Sequence, residues 1–216
     1  MDDNCKRTPL SFAAGKGDEA AVKLLLEQKD VDPNMADARG QTPLSWAASS
    51  GRDGVVKQLL GRKDVDPNLA DNSGQTPVFW AIIRVHYRAL KLLLECGEVN
   101  PNITDNHGQT PLFCAAERGR YQAAQLLLER EDIAPNIANV VGDTPLMIAV
   151  KRKSHEVVKL ILRREDVNPN IGDRFHFTSL HCAALLGDDD DSDTLMAARS
   201  QPNDNWGSVG NGAKHG

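Results

Sequence analysis

The sequence has little of what usually announces chemistry. Aromatic residues make up 5% of its 216 residues, and its four cysteines, Cys5, Cys96, Cys114 and Cys182, are scattered. They form no CxxC pair and have no histidines at zinc-ligand spacing, so they read as reduced thiols of an intracellular protein. No apolar run approaches the roughly 18 residues of a membrane span. The opening MDDNCKRTPLSF is charged and lacks a secretory apolar centre, so the sequon at Asn102 is expected to stay unglycosylated. Charge of one sign is also scarce. The net charge is −5; residues 186–216 hold six acidic and two basic side chains, and the first 185 residues hold 24 and 23. A nearly neutral body is a poor polyanion binder. Zincin, nucleophile-elbow and phosphate-loop motifs are missing. His176, His181 and Cys182 lie close together in sequence and fit turn and core roles better than a metal site. The acidic run at 188–191 with Asp193 lacks the glycine and distal glutamate of an EF-hand loop and reads as a solvated acidic cap. No catalytic residue, cofactor or metal is expected.

What the chain does have is a period. GQTPLSWAA at residue 40 returns as GQTPVFWAI at 74, GQTPLFCAA at 108 and GDTPLMIAV at 142. Thr-Pro pairs at Thr8, Thr42, Thr76, Thr110 and Thr144 are spaced by 34 residues, and Thr178-Ser179 keeps the phase without proline. Pro33-Asn34, Pro67-Asn68, Pro101-Asn102, Pro135-Asn136 and Pro169-Asn170 keep the same step. Two markers in register signify a repeat array, in which one unit cannot bury its apolar face and stacked copies can. Threonine before proline starts a helix: the hydroxyl caps a free amide, and proline at the first helical position gives up no needed donor. Paired alanines, as at Ala47-Ala48, allow close approach of a neighbouring helix, and Gly17, Gly51 or Gly119 ends the short helix. A longer helix follows, with Val55, Val56, Leu59 and Leu60 at helical spacing. Proline, asparagine and glycine then make a connector and turn.

These residues resemble the ankyrin repeat. Asp37, Gly40, Thr42, Pro43, Leu44, Ala47, Ala48, Gly51, Val55, Val56, Leu59 and Leu60 fall on its signature positions, and the resemblance covers about residues 1–186. It implies an all-α ankyrin-repeat solenoid of helix-turn-helix units with β-turn or hairpin connectors. Repeats begin near 3, 37, 71, 105, 139 and 173; the array ends at 199, and 200–216 is expected to be a disordered tail. The 34-residue unit with its KDVDPN connector is similar to the fungal arrays that form arms of NOD-like receptor (NACHT-ankyrin) proteins. The chain departs from the family where His181 is the only histidine in a slot otherwise holding Ser11, Ser45, Phe79, Phe113 and Met147. That histidine ties turns together in the family, so this array must stitch its turns differently. Val85 and Lys153 replace the interhelical glycine, and His176 replaces a turn glycine. The last repeat is degenerate, with a second helix polar enough to face water, and the ends are expected to unfold before the centre.

The resemblance also implies a concave binding surface of turn tips and first-helix side chains. The tip residues are Arg39 and Gln41, Asn72 and Ser73, Asn106 and His107, and Val140 and Val141; the helix residues are Ile83 and Arg84, Glu117 and Arg118, and Lys151 and Arg152, with Tyr87 and Tyr121 beside them. Two features stand out among them. A basic file of Lys16, Arg84, Arg118 and residues 151–153 reads either as a site for an acidic partner or as cations at helix C-termini. The second is apolar exposure at Ile83, Tyr87, Tyr121, Val140 and Val141, which serves either as interface anchors or as packing between turns. Acidic connectors at Asp30, Asp32, Asp64, Asp66, Glu98, Asp132 and Asp166 suggest polarisation across the array. The expected function is non-catalytic recognition of a protein or peptide, acidic for choice, by a cytoplasmic or nuclear monomer without nucleic acid or membrane. The alternative is a recognition arm of a larger signalling protein or enzyme, favoured by an array that starts almost at Met1; a small self-standing inhibitor is a third reading.

Overall fold

The computed structural model describes residues 6–199. Among these the structure is helical, with twelve α-helices and no strand. The helices pair as α1 (Pro9–Lys16) with α2 (Glu19–Leu26), α3 (Pro43–Ser49) with α4 (Asp53–Leu60), and α5 (Pro77–Ile83) with α6 (Tyr87–Glu95). The series continues as α7 (Pro111–Glu117) with α8 (Tyr121–Leu128), α9 (Pro145–Lys151) with α10 (His155–Ile161), and α11 (Ser179–Leu185) with α12 (Asp189–Arg199). First helices stack on first helices and second on second, each touching its neighbours along the row. That is a solenoid. The expected tail, 200–216, lies outside the described residues.

Each short helix begins as its sequence dictates. Thr42 is extended at φ −78°, ψ 165°, and its Oγ1 accepts the Ser45 amide at 3.2 Å, with Pro43 in the first turn. Thr8, Thr110 and Thr144 do the same for Ser11, Phe113 and Met147. Gly17, Gly51 and Gly119 reverse the chain at positive φ, and Val85 and Lys153 adopt that conformation as well, at φ 65° and 54°. His176 does so in the last turn, at φ 63°. Ala47, Ala48, Ala115, Ala116, Val56, Leu59, Leu93 and Leu127 are fully buried between units. A buried aliphatic side chain of this kind is worth about 1.5–3 kcal/mol. Burial shared by neighbouring repeats therefore supplies the stability that no unit has alone.

Two hydrogen-bonded edges hold the stack in register. On the turn edge, Asp37 Oδ1 accepts the Arg39 and Gln41 amides. The Asp37 amide closes the turn on Gln41 O at 3.0 Å. The next turn then docks on it, Asn72 N donating to Arg39 O at 3.0 Å, and the step repeats from Asn106 to Ser73 and from Val140 to His107. Gly40 sits at φ 78°, where a Cβ would meet Asn72 N at 2.7 Å, so glycine is required there. On the connector edge, Asn34 Nδ2 donates to Asp64 O at 2.6 Å while Asn34 Oδ1 accepts the Asp66 amide at 2.9 Å. Asn68 and Asn102 repeat this two-point clasp, and Asn136 repeats it onto Asp166 O and Asn168 N. Arginines add a second clasp. Arg130 chelates Asp132 and reaches back to Leu94 O at 2.6 Å, and Arg164 likewise reaches Leu128 O at 2.9 Å. The turns themselves are joined by the backbone bonds from Asn72, Asn106 and Val140, with no histidine side chain taking part. His181, the one histidine in that slot, accepts the Thr178 amide at 3.1 Å within its own repeat.

The terminal repeat corrects one expectation. Leu195 is buried and Met196 exposed, but the acidic run is not a wholly solvated cap: Asp188 is 7% exposed and Asp191 0%. The helical stagger turns Asp191 inward, toward the preceding unit.

Candidate functional site

The side chains that differ between repeats collect on the face shared by the turns and the first helices. Trp46 on α3 reaches its own turn, its indole Nε1 donating to Asp37 Oδ2 at 3.1 Å, and Trp80 on α5 does the same to Asp71 at 3.0 Å. Both tryptophans are half-buried. Phe12 occupies the same slot one repeat earlier and is 47% exposed. The guanidinium of Arg7 lies 5.1 Å from the Phe12 ring centroid and 4.7 Å from that of Trp46. Lys16 caps Phe12 at 5.7 Å, and Arg84 lies over Trp80 at 5.7 Å. In repeats 4 to 6 the slot holds Cys114, Ile148 and Cys182, all buried. The slot is therefore aromatic, with cations stacked on its rings, in the first three repeats, and filled by small buried thiol or aliphatic side chains beyond them, although Arg118 and Arg152 keep the face basic there. Sequence reasoning missed Phe12, Trp46 and Trp80; the signal was an aromatic residue at one phase of three successive repeats.

The candidates taken from the sequence divide. Arg39, Asn72, Ser73, Asn106, His107, Arg84, Arg118, Tyr121, Val140, Val141 and Arg152 are exposed. Gln41 is 5% exposed, because its backbone closes the turn behind Asp37 rather than presenting at the tip. Ile83 and Tyr87 are half-buried and pack against the core. Asn72 and Asn106 spend their side-chain amides on the preceding turn, donating to Ala38 O at 3.1 Å and Asn72 O at 2.9 Å. Two members of the basic file are matched internally: Lys151 Nζ to Asp143 at 2.5 Å, and Arg152 to Glu117 of the preceding repeat at 2.9 Å. Val140 stands 69% exposed at its tip.

The connector edge is less acidic than its sequence suggests. Asp64, Asp132 and Asp166 each pair with the arginine two residues before them, at 2.6 to 2.7 Å. The hydrogen bonds from Arg130 and Arg164 hold the Asp132 and Asp166 carboxyls below their ordinary range, against the opposing effect of burial. Burial pushes the Cys114 and Cys182 thiols up, which disfavours the thiolate form needed of a nucleophile. His155, at the start of α10, is raised by its hydrogen bond to Asp191, again against burial. Two shallow cavities, of about 250 and 380 Å³, lie by the connectors and second helices, one at residues 63–68 with Glu98 and the other at Leu26 and Arg62. The turn face offers an extended surface of preset side chains, the form suited to another macromolecule.

The family model for ankyrin repeats (3 copies) matches residues 1–71, 52–139 and 131–205. No curated protein matches the sequence. Similar solved structures include an ankyrin repeat domain from Acinetobacter baumannii AYE, with 27% identity and a TM-score of 0.78 over 88% of this chain and 97% of that one. The ankyrin repeat domain of Bcl-3, a member of the IkappaB protein family, shares 26% identity with a TM-score of 0.83 over 92% and 89%. A chain from the complex of the Bdellovibrio bacteriovorus predatory endopeptidase Bd0816 with immunity protein Bd3460 shares 26% identity, with a TM-score of 0.72 over 89% and 98%.

Proposed function

The chain belongs to the ankyrin-repeat family, a fold of generally non-catalytic protein-interaction scaffolds, and we propose that it recognises one protein or peptide partner across its turn tips and first helices. The observation that carries this reading is the segregation of the surface. The connector edge repeats one set of clasps, whereas the turn face changes from Phe12, Trp46 and Trp80 with their cations to Cys114 and Ile148. Aromatic and arginine side chains make the strongest interface anchors. A stack locked by clasps on both edges also loses little conformational entropy on binding. One similar chain comes from a complex of an endopeptidase with an immunity protein, so this shape occurs in a protein–protein complex. Exposed Arg39, Arg84 and Arg118 favour an acidic partner. The module is taken to act as a monomer in the cytoplasm or nucleus, on its own or as a recognition arm of a larger protein. The apolar outer face of repeat 1, with Leu24 62% and Met35 52% exposed, favours the arm reading, in which a neighbouring unit covers it.

Affinity capture tests the proposal, with wild type compared against a bait carrying Arg39→Glu, Arg84→Glu and Arg118→Glu. The expected result is a partner held by wild type and lost by the variant, with melting temperatures alike. Equal capture by both baits would remove the site from this face.

A further inference from the structure

Among the described residues, position 191 is the one place where an acid is buried in a slot that other repeats fill with an alkyl group. Its equivalents at 34-residue spacing are Ala21, Val55, Ala89, Ala123 and Val157, small apolar residues that pack between helices. Asp191 is 0% exposed there, on the first turn of α12. One carboxylate oxygen lies 3.0 Å from His155 Nδ1 of the preceding repeat. The other, Oδ2, is buried with no hydrogen-bond partner. A buried carboxylate oxygen left without a partner is costly and calls for a proton, a water or a cation. Asp188, 7% exposed, brings a second carboxylate to 3.8 Å from the same imidazole nitrogen. His155 itself fills a slot occupied by Glu19, Asp53, Tyr87 and Tyr121 in the other repeats, so histidine and aspartate change together at this one interface.

We propose that His155, Asp188 and Asp191 form a binding site for a divalent transition cation of the zinc class that fastens the terminal helix to repeat 5. The three ligand atoms lie within 4.8 Å of one another. Ligand bonds of 2.0–2.2 Å place tetrahedral ligands about 3.4 Å apart, so small carboxylate rotations complete the set. One imidazole nitrogen with two carboxylate oxygens suits zinc, whereas calcium takes six to eight oxygens. The cation balances both carboxylates and gives Asp191 Oδ2 a partner. His155 is 38% exposed in its side chain, which leaves a path for entry and room for a water as fourth ligand. The two halves of the site come from α10 and from the start of α12, so occupancy links folding of the last repeat to the metal.

The test is calorimetric titration of the metal-stripped full-length chain with zinc chloride, followed by hydrogen exchange over residues 189–199. The expected result is one zinc per chain and slower exchange in α12. Asp191→Ala and His155→Tyr install residues that other repeats hold at these positions, so both variants keep the fold. Each is expected to weaken zinc about tenfold or more, and all four cysteines stay in place to expose any thiolate binding. Failure of saturable zinc binding, undiminished binding in Asp191→Ala, or an equal response to magnesium chloride would overturn the proposal.

Discussion

Repeats 3 and 4 sit side by side at the centre of the array, share their helices' lengths to within a residue, and are held very differently. In repeat 4, Thr110 caps its helix on Phe113 N at 3.1 Å, Gly119 makes the interhelical turn at φ 60°, and Arg130 clasps the unit before it. In repeat 3, Thr76 Oγ1 is buried without a partner, Val85 makes the turn at φ 65°, and Cys96 stands where the arginine would be. A lost cap costs about 1 kcal/mol and a left-handed non-glycine residue about 1–2 kcal/mol. Core residues are fully buried in both repeats, Leu90 and Leu93 in one and Ala124 and Leu127 in the other, so the contrast lies in the local chemistry of caps, turns and clasps. On its connector edge the seam between repeats 2 and 3 is thus held by core packing and the Asn68 clasp without the arginine's help, while Asn72 docks its turn on Ala38 and Arg39 as in the other repeats. Opening at this interior seam therefore competes with the fraying expected at the ends.

Arg130→Met tests the strong side of that contrast. It keeps the aliphatic stem and removes the guanidinium bonds to Leu94 O, Cys96 O and Val99 O. One hydrogen bond to a charged donor is worth about 1.5–3 kcal/mol; with one short bond to Leu94 O dominating and a discount for partial exposure, a loss of about 2 kcal/mol is expected in urea unfolding. Arg62→Met should cost less, since Arg62 reaches one carbonyl, Leu26 O at 3.0 Å. Equal losses would show that the carboxylate pairing common to both, not the bond to the neighbouring repeat, supplies the stability. Val85→Gly acts on the weak side. It relieves a β-branched residue at positive φ, and after the added entropy of an unfolded glycine a net gain of about 1 kcal/mol is expected. A thermal melt unchanged or lowered would mean that Val85 gains more from packing than its backbone loses.

The architecture was legible because each boundary is written in residues with one strong local preference. Thr42-Pro43 starts a helix whatever surrounds it, and Gly51 ends one. The buried side of α12 was legible too, from Leu195 falling on the two-leucine phase. The clasps were harder to see because they join residues 30 to 36 apart, although Arg62-x-Asp64, Arg130-x-Asp132 and Arg164-x-Asp166 recur at one phase. The pairing of Arg152 with Glu117 and the inward turn of Asp191 depend on the stagger between neighbouring helices, which no pattern within a single repeat encodes. Trp46 and Trp80 hid in the frame, since a residue that bonds its own turn while lining the variable face looks like scaffold from sequence alone.

The smallest expected effect bears most directly on the seam. Cys96→Arg places a guanidinium where repeats 2, 4 and 5 carry one, with Glu98 in the position of Asp132 and the carbonyls of Leu60 and Arg62 as counterparts of those that Arg130 reaches. The longer glutamate makes a less rigid fork than aspartate, and the half-buried Cys96 thiol gives up its packing against the core. A gain of about 0.5 kcal/mol is therefore expected, below that of a full clasp. Hydrogen exchange reads it better than global unfolding, because a repeat array opens locally and the gain is confined to one interface. Amides of residues 59–68 and 93–99 should slow in the variant while those of repeat 5 stay unchanged. Uniform slowing along the whole chain would mean that the array opens as one unit and that repeats 2 and 3 meet at no separate seam. No slowing at all would mean that the Asn68 clasp already holds this interface as firmly as its neighbours.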